Sequence, residues 1–272
     1  MATNRIEAAF ADWRQRRHKA LIPYITAGDP TPELTVPLMH AMVAAGADLI
    51  ELGVPFSDPM ADGPVICHAH ERALRHGTSL RDVLDRVQEF RQRDDQTPVV
   101  LMGYLNPIEA MGYVAFVQRA VQAGVDGVLT VDLPPEEAGD LVTHLQEADL
   151  AAIFLVAPTS SPARVQRIAA LARGYLYYVS LKGVTGAAHL DAALVHERIE
   201  SLRAQTSLPL AVGFGIKDAA TAAAIAGAAD AVVVGSVLVQ AIADHQHEPE
   251  RAVQVVSELL AAMRTAIDTR ER

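Results

Sequence analysis

The chain is predicted to fold as an α/β protein, a (β/α)8 TIM barrel with an additional N-terminal helix, forming a single domain over residues 1–272. Three observations predict it. Eight short apolar runs recur along the chain, each followed by a helical pattern. Several of those runs lack polar alternation, as strands covered on both faces do. An internal echo, Ala45-Gly46-Ala47-Asp48, Ala123-Gly124-Val125-Asp126 and Gly227-Ala228-Ala229-Asp230, stands each time between a helix and an apolar run. Glycine there permits the left-handed turn that returns the chain to the sheet. A doubly wound sheet is the competing arrangement, but no GxGxxG follows the first run.

In order, Asn4 to Arg17 reads as an amphipathic helix whose Phe10 and Trp13 cover the underside of the barrel. Strands are expected at Ala20–Thr26, Asp48–Leu52, Pro98–Gly103, Gly127–Val131, Ala151–Ala157, Leu176–Ser180, Pro209–Gly213 and Ala231–Val234. The segments Ser79–Arg93, Ile108–Ala123 and Pro135–Ala148 carry apolar residues at helical spacing. The longest apolar stretch, Ala219 to Ala243, is interrupted by Asp230 and contains Gly227 and Gly235. It reads as a buried helix followed by a buried strand rather than a membrane span.

Half of the 272 residues are apolar and the formal charge is −10, which allows a full core and disfavours nucleic-acid and membrane-surface partners. With 17 glycines and 15 prolines the chain is neither collagenous nor of low complexity. The single cysteine, Cys67, excludes an intramolecular disulfide and a cysteine-rich zinc site, and fits a reducing cytoplasm. The first twenty residues lack the apolar core of a secretory signal.

In such a barrel the chemistry lies at the C-terminal ends of the strands. The second strand runs into Glu51-Leu52-Gly53-Val54-Pro55-Phe56-Ser57-Asp58-Pro59-Met60-Ala61-Asp62-Gly63-Pro64, a long connection of the kind that carries function. Glu51, within an apolar strand, needs a close partner or a raised pKa. Asp62 can reach over the same opening, giving a buried acid and a more exposed carboxylate. The alternative is a buried salt bridge at Glu51, with Asp58 and Asp62 capping turns. Gly213-Phe214-Gly215-Ile216 and Gly235-Ser236 each begin a helical pattern after the seventh and eighth strands, where N–H groups make an anion site that requires no lysine. Two glycines in Leu181-Lys182-Gly183-Val184-Thr185-Gly186-Ala187 suit the hinges of a lid.

These segments, with Leu21-Ile22-Pro23-Tyr24-Ile25-Thr26-Ala27-Gly28-Asp29-Pro30 before them and Tyr177-Tyr178-Val179-Ser180 among them, strongly resemble the tryptophan synthase alpha subunit family over nearly the whole chain. The resemblance implies a lyase of tryptophan biosynthesis, cleaving indole-3-glycerol phosphate to indole and glyceraldehyde 3-phosphate without a cofactor of its own. By the same resemblance, Glu51 is the general acid/base, Asp62 stabilises the indolenine N–H, and Tyr177 is the active-site tyrosine near Glu51. Tyr24, Tyr104 and Val131 line the indole pocket. Gly186, Gly215, Gly235 and Ser236 hold the phosphate, and Thr185 orients Asp62. Asp58, Pro59, Asn106, Pro107, Asp132 and Pro134 form a rim that docks on a beta subunit in an alpha2beta2 heterotetramer, pyridoxal phosphate being expected only in that partner.

Three features depart from the family pattern. Leu181 and Lys182 stand where some relatives carry Arg and Ser, and Tyr24 replaces a phenylalanine, adding a hydroxyl that needs a partner. In Cys67-His68-Ala69-His70 the two histidines point in different directions on a helix and read as ordinary surface residues rather than metal ligands. Two other functions stay open on the sequence alone: a Schiff-base aldolase using Lys182, and a catalytically silent barrel that activates its partner.

Overall fold

The computed structural model describes residues 4–179, 192–213 and 215–270. In it eight strands pair in parallel, in chain order, and β8 pairs with β1 to close the barrel. They are β1 (Ala20–Thr26), β2 (Ile50–Gly53), β3 (Val99–Gly103), β4 (Gly127–Thr130), β5 (Ala151–Val156), β6 (Leu176–Val179), β7 (Leu210–Gly213) and β8 (Ala231–Val234). Where the sequence reading ran a residue or two long, the cause is often at the strand entrance. Pro98 and Pro209 have no N–H for the ladder, although their carbonyls accept from Ile50 and Leu176.

Period-two alternation sorts each strand. Ile22, Val100, Leu129, Ile153, Tyr177, Ala211 and Val233 point inward, while Leu21, Leu52, Leu101, Val128, Phe154, Tyr178 and Val232 pack under the surrounding helices. Both faces are buried, which is why the runs look uniformly apolar in sequence.

The first helix, α1 (Arg5–Arg16), closes the bottom. The Asn4 side chain accepts the Ile6 N–H at 3.0 Å and donates to the carbonyls of Asp126 (2.9 Å) and Asp149 (2.7 Å), fixing the helix start to the barrel. Ile6, Phe10 and Trp13, on one helical face, join the inner cluster as expected. The Phe10 ring centroid lies 4.8 Å from that of Trp13 and 5.7 Å from that of Tyr175.

The helices after β1 and β2 are a short 3-10 turn (Pro32–Leu34), α2 (Thr35–Ala44), α3 (Pro64–Arg75) and α4 (Leu80–Arg91). After β3 the predicted single helix is two, α5 (Leu105–Met111) and α6 (Tyr113–Ala123). Gly112, at φ 84°, breaks the run, and its left-handed backbone ends one helix and starts the next. Then follow α7 (Gly139–Glu147), α8 (Pro162–Leu171), α9 (Ala192–Arg203), α10 (Ala219–Ala226), α11 (Ser236–Asp244) and α12 (Pro249–Arg270). Among the described residues no helix is long and apolar enough to cross a membrane.

The internal echo has a firmer cause than glycine. Gly46 and Gly124 do turn left-handed, at φ 102° and 84°, but Gly227 is right-handed at φ −63°. The shared element is the aspartate. Asp48, Asp126 and Asp230 accept the backbone N–H of Leu21, Val99 and Leu210, each at the start of the preceding strand, at 2.8, 2.8 and 2.9 Å. Arginine holds each in turn: Arg264 on Asp48, Arg5 and Arg91 on Asp126, and Arg203 on Asp230. The repeat is a clamp at the floor of the barrel.

Candidate active site

At the opposite end, a cavity of about 670 Å³ opens among the C-terminal ends of the strands. Glu51 projects into it from β2 and is fully buried. The Tyr175 hydroxyl donates to Glu51 Oε1 at 2.6 Å, while Oε2 is buried without a hydrogen-bond partner among the described residues. Burial lifts the carboxyl to about 7, against the pull of the Tyr175 bond. A group poised there can both give and take a proton near neutrality. Among the described residues no salt bridge reaches Glu51, whose partner is a neutral tyrosine.

Asp62 sits across the cavity, at the end of the connection from β2 to α3. Tyr104 fixes that connection twice, donating to Asp62 Oδ2 at 2.8 Å and accepting the Ala61 N–H at 3.0 Å. The Phe56 ring stacks on Tyr104 with centroids 5.1 Å apart. Tyr104 thus touches the site through Asp62 and does not itself line the main cavity; Val131 does not line it either.

Tyr24 and Tyr177 complete the apolar wall with Met102 and Val233. The hydroxyl end of each tyrosine lies against a glycine. A Cβ on Gly53 would fall 2.2 Å from Tyr24 Oη, and one on Gly213 would fall 2.0 Å from Tyr177 Oη. The Tyr24 hydroxyl finds its partner in Thr26 Oγ1 at 3.2 Å. Burial and the neighbouring Glu51 charge hold the Tyr177 hydroxyl far above its ordinary pKa, so it stays neutral.

Gly215 (φ 74°), Gly235 and Ser236 line the other end of the cavity. Only one of the two expected helix starts is open. The Asp218 carboxylate accepts the Thr221 N–H at 2.8 Å and so caps α10, whereas α11 begins at Ser236 with no side-chain cap. Lys217 and Gln240, which the sequence reading did not single out, line this end as well, so a cationic side chain stands beside the expected anion site. Thr185, Gly186 and the rest of the proposed lid, including Leu181 and Lys182, lie outside the described residues, as does Phe214.

The histidine pair needs correction. His68 is exposed beside Glu71, but His70 is only 2% exposed and faces Asp62. Two residues along a helix reverse the direction of a side chain, so one of the pair turned inward. Among the described residues no group of three or more His, Cys, Asp or Glu side chains is arranged to hold a metal ion. Tyr175 was also missed in sequence, although it stands two residues before Tyr177 and points to the same side. On the rim, Asp58 and Asn106 are exposed and Pro59, Pro107, Asp132 and Pro134 half-buried, with Asp132 accepting the Leu105 N–H at 2.8 Å.

A sequence profile described as tryptophan synthase alpha chain matches residues 10–268. The chain belongs to the tryptophan synthase alpha chain family. It is 65% identical over 265 residues to the tryptophan synthase alpha chain of Methylococcus capsulatus, covering 97% of this chain and 99% of that one. Among solved structures, the tryptophan synthase subunit alpha of Legionella pneumophila superposes with a TM-score of 0.93 at 49% identity, over 98% of this chain and 100% of that one. A chain from the tryptophan synthase alpha2beta2 complex of Pyrococcus furiosus gives a TM-score of 0.83 at 36% identity, covering 90% of this chain and 97% of that one. Family membership and the eight-stranded barrel agree with the sequence-based expectation.

Proposed function

We propose that this cavity performs the alpha reaction of tryptophan synthase, splitting indole-3-glycerol phosphate into indole and glyceraldehyde 3-phosphate, with Glu51 and Asp62 as its catalytic pair. Neutral Glu51 delivers its proton to indole C3, and the ring becomes a cationic indolenine. Asp62, placed for the ring N–H, stabilises that charge, which is absent from the ground state. The Glu51 carboxylate then takes the proton of the glycerol hydroxyl next to the ring. The C–C bond breaks, the hydroxyl carbon becomes the aldehyde, indole regains its aromatic ring, and Glu51 is again protonated. Tyr24 and Tyr177 hold the ring flat, with Thr185 proposed to orient Asp62 from the lid. The open start of α11, with Gly215, Gly235, Ser236 and Gly186, takes the phosphate.

One observation carries this reading: a fully buried carboxyl, lifted to about 7 and with one oxygen unpartnered among the described residues, shares a cavity with a second carboxylate. No cofactor is assigned to this chain. By analogy with the Pyrococcus furiosus complex, the rim at Asp58, Pro59, Asn106, Pro107, Asp132 and Pro134 docks a beta subunit holding pyridoxal phosphate, in an alpha2beta2 assembly in the cytoplasm. Because the rim includes the connection carrying Asp62, docking biases that carboxylate toward its reactive position.

The experiment is indole release from indole-3-glycerol phosphate by wild type, Glu51→Gln and Asp62→Asn. Each substitution is expected to lower turnover by about a hundredfold or more, with indolepropanol phosphate still bound by Glu51→Gln. Full turnover in either variant removes that residue from the mechanism. Borohydride inactivation in the presence of substrate would instead point to an imine and to Lys182.

A further inference from the structure

His70 stands on the inward face of α3, directly behind the connection that carries Asp62. Its two ring nitrogens have different surroundings. Nδ1 accepts the Phe56 backbone N–H at 3.2 Å. A nitrogen that accepts carries no proton, so the neutral ring bears its hydrogen on Nε2. That N–H is buried, satisfies no hydrogen bond among the described residues, and lies 3.4 Å from Asp62 Oδ2. An unsatisfied buried donor beside a carboxylate is a contact waiting for a small movement of the acceptor.

The side supporting the ring is the fixed one. Two residues on, Arg72 grips the buried Asp29 with two bonds of 2.6 and 2.9 Å, tying α3 to the turn after β1. Nearer the site, Cys67 Sγ contacts the Asp62 carbonyl at 3.5 Å. Among the described residues, the charged groups facing the imidazole are Asp62 from the β2–α3 connection and Asp29 from the β1 turn, the latter neutralised by Arg72.

We propose that His70 is a positioning residue for Asp62: with substrate bound, its Nε2–H closes onto Oδ2 beside the Tyr104 hydroxyl, and the two donors turn Oδ1 toward the indole N–H. Nothing in the family resemblance drew attention to this position, where the sequence reads as an anomaly. The assignment rests on the role given to Asp62 above. It adds a preorganised support behind the carboxylate, so that less reorientation is needed as positive charge appears on the ring.

The test uses three substitutions and two backgrounds. His70→Leu keeps bulk and removes both contacts. His70→Asn returns an acceptor for the Phe56 N–H on a side chain too short to place its NH2 where Nε2 stood, and His70→Gln returns an N–H at the distance of Nε2. The leucine and asparagine variants are expected to lose about tenfold in kcat with KM moving less than about twofold, and glutamine to recover to within about threefold of wild type. In the Asp62→Asn background the leucine substitution is expected to change kcat less than about twofold, because the carboxylate it serves is gone. A leucine variant with wild-type kcat, a glutamine variant as slow as leucine, or equal losses in both backgrounds would each overturn the assignment. If the leucine chain does not fold, the asparagine and glutamine pair alone decides. Should Asp62→Asn by itself leave kcat intact, the role of Asp62 fails first; a large loss there with a silent His70 series rejects only the positioning role.

Discussion

Glu51→Gln separates the proton of Glu51 from its shape, and its effect on stability follows from burial. Folding moves the carboxyl from 4.5 to about 7, so the native chain binds more protons than the unfolded chain between those values. Stability from this group is therefore present in full below 4.5 and is lost as pH rises through 7. At ~1.36 kcal/mol per pKa unit, the loss is about 3 kcal/mol once both states are ionised. Glutamine mimics the neutral acid: its oxygen still accepts from Tyr175, and nothing ionises. The stability of Glu51→Gln relative to wild type should thus be near zero at the acid end and grow to about 3 kcal/mol in favour of glutamine by pH 8. Urea unfolding of both proteins from pH 4 to 8.5, at closely spaced steps, measures that difference while cancelling the other titrating groups. The single tryptophan, Trp13, packed under the barrel, reports the transition. Two parallel stability curves across this range would refute the claim that Glu51 is held protonated by its surroundings.

Gly213→Ala should cost on the order of a hundredfold in kcat, because the new methyl collides with the Tyr177 hydroxyl and must displace it; steady-state indole release decides. Gly215→Val, forced into φ 74°, should weaken indolepropanol phosphate binding by about tenfold or more, and unchanged affinity by calorimetry would place the anion elsewhere. Asp126→Asn leaves Arg5 and Arg91 without their anion at the floor and should destabilise the chain by about 3 kcal/mol. Indole release should persist in that variant, and loss of activity without loss of stability would contradict the assignment. Titrating the cognate beta subunit into this chain should raise the cleavage rate, and substrate analogue should tighten the complex; association with no change in rate would reject the coupling.

The barrel was readable because its strands are buried on both faces, so that apolar runs such as Leu21–Ile25 and Ala231–Val234 stand out from the polar helix surfaces without any knowledge of pairing. Glu51 was readable for the converse reason, as a charge inside such a run. What escaped depends on contacts between distant residues. Tyr175 meets Glu51 across 124 positions, and no local pattern marks that encounter. The glycines at 53 and 213 look like ordinary strand ends until a tyrosine from elsewhere lies over each. His70 was misjudged because helical phase settles that two neighbours diverge, not which of them faces the core. The break at Gly112 lost to an apolar periodicity that continues across it.

The floor and the mouth of this barrel are joined by a single file of side chains, Trp13 to Phe10 to Tyr175 to Glu51, linked by ring contacts and then a hydrogen bond. A shortened chain beginning at Ala20 would keep every proposed catalytic group and the complete ring of strands. It would also admit water from below, hydrate Tyr175, and let the Glu51 carboxyl relax toward an ordinary acidity. On the mechanism proposed above, the acidity of Glu51 therefore depends in part on the end of the barrel farthest from the cavity, where the leading helix keeps solvent away from Tyr175.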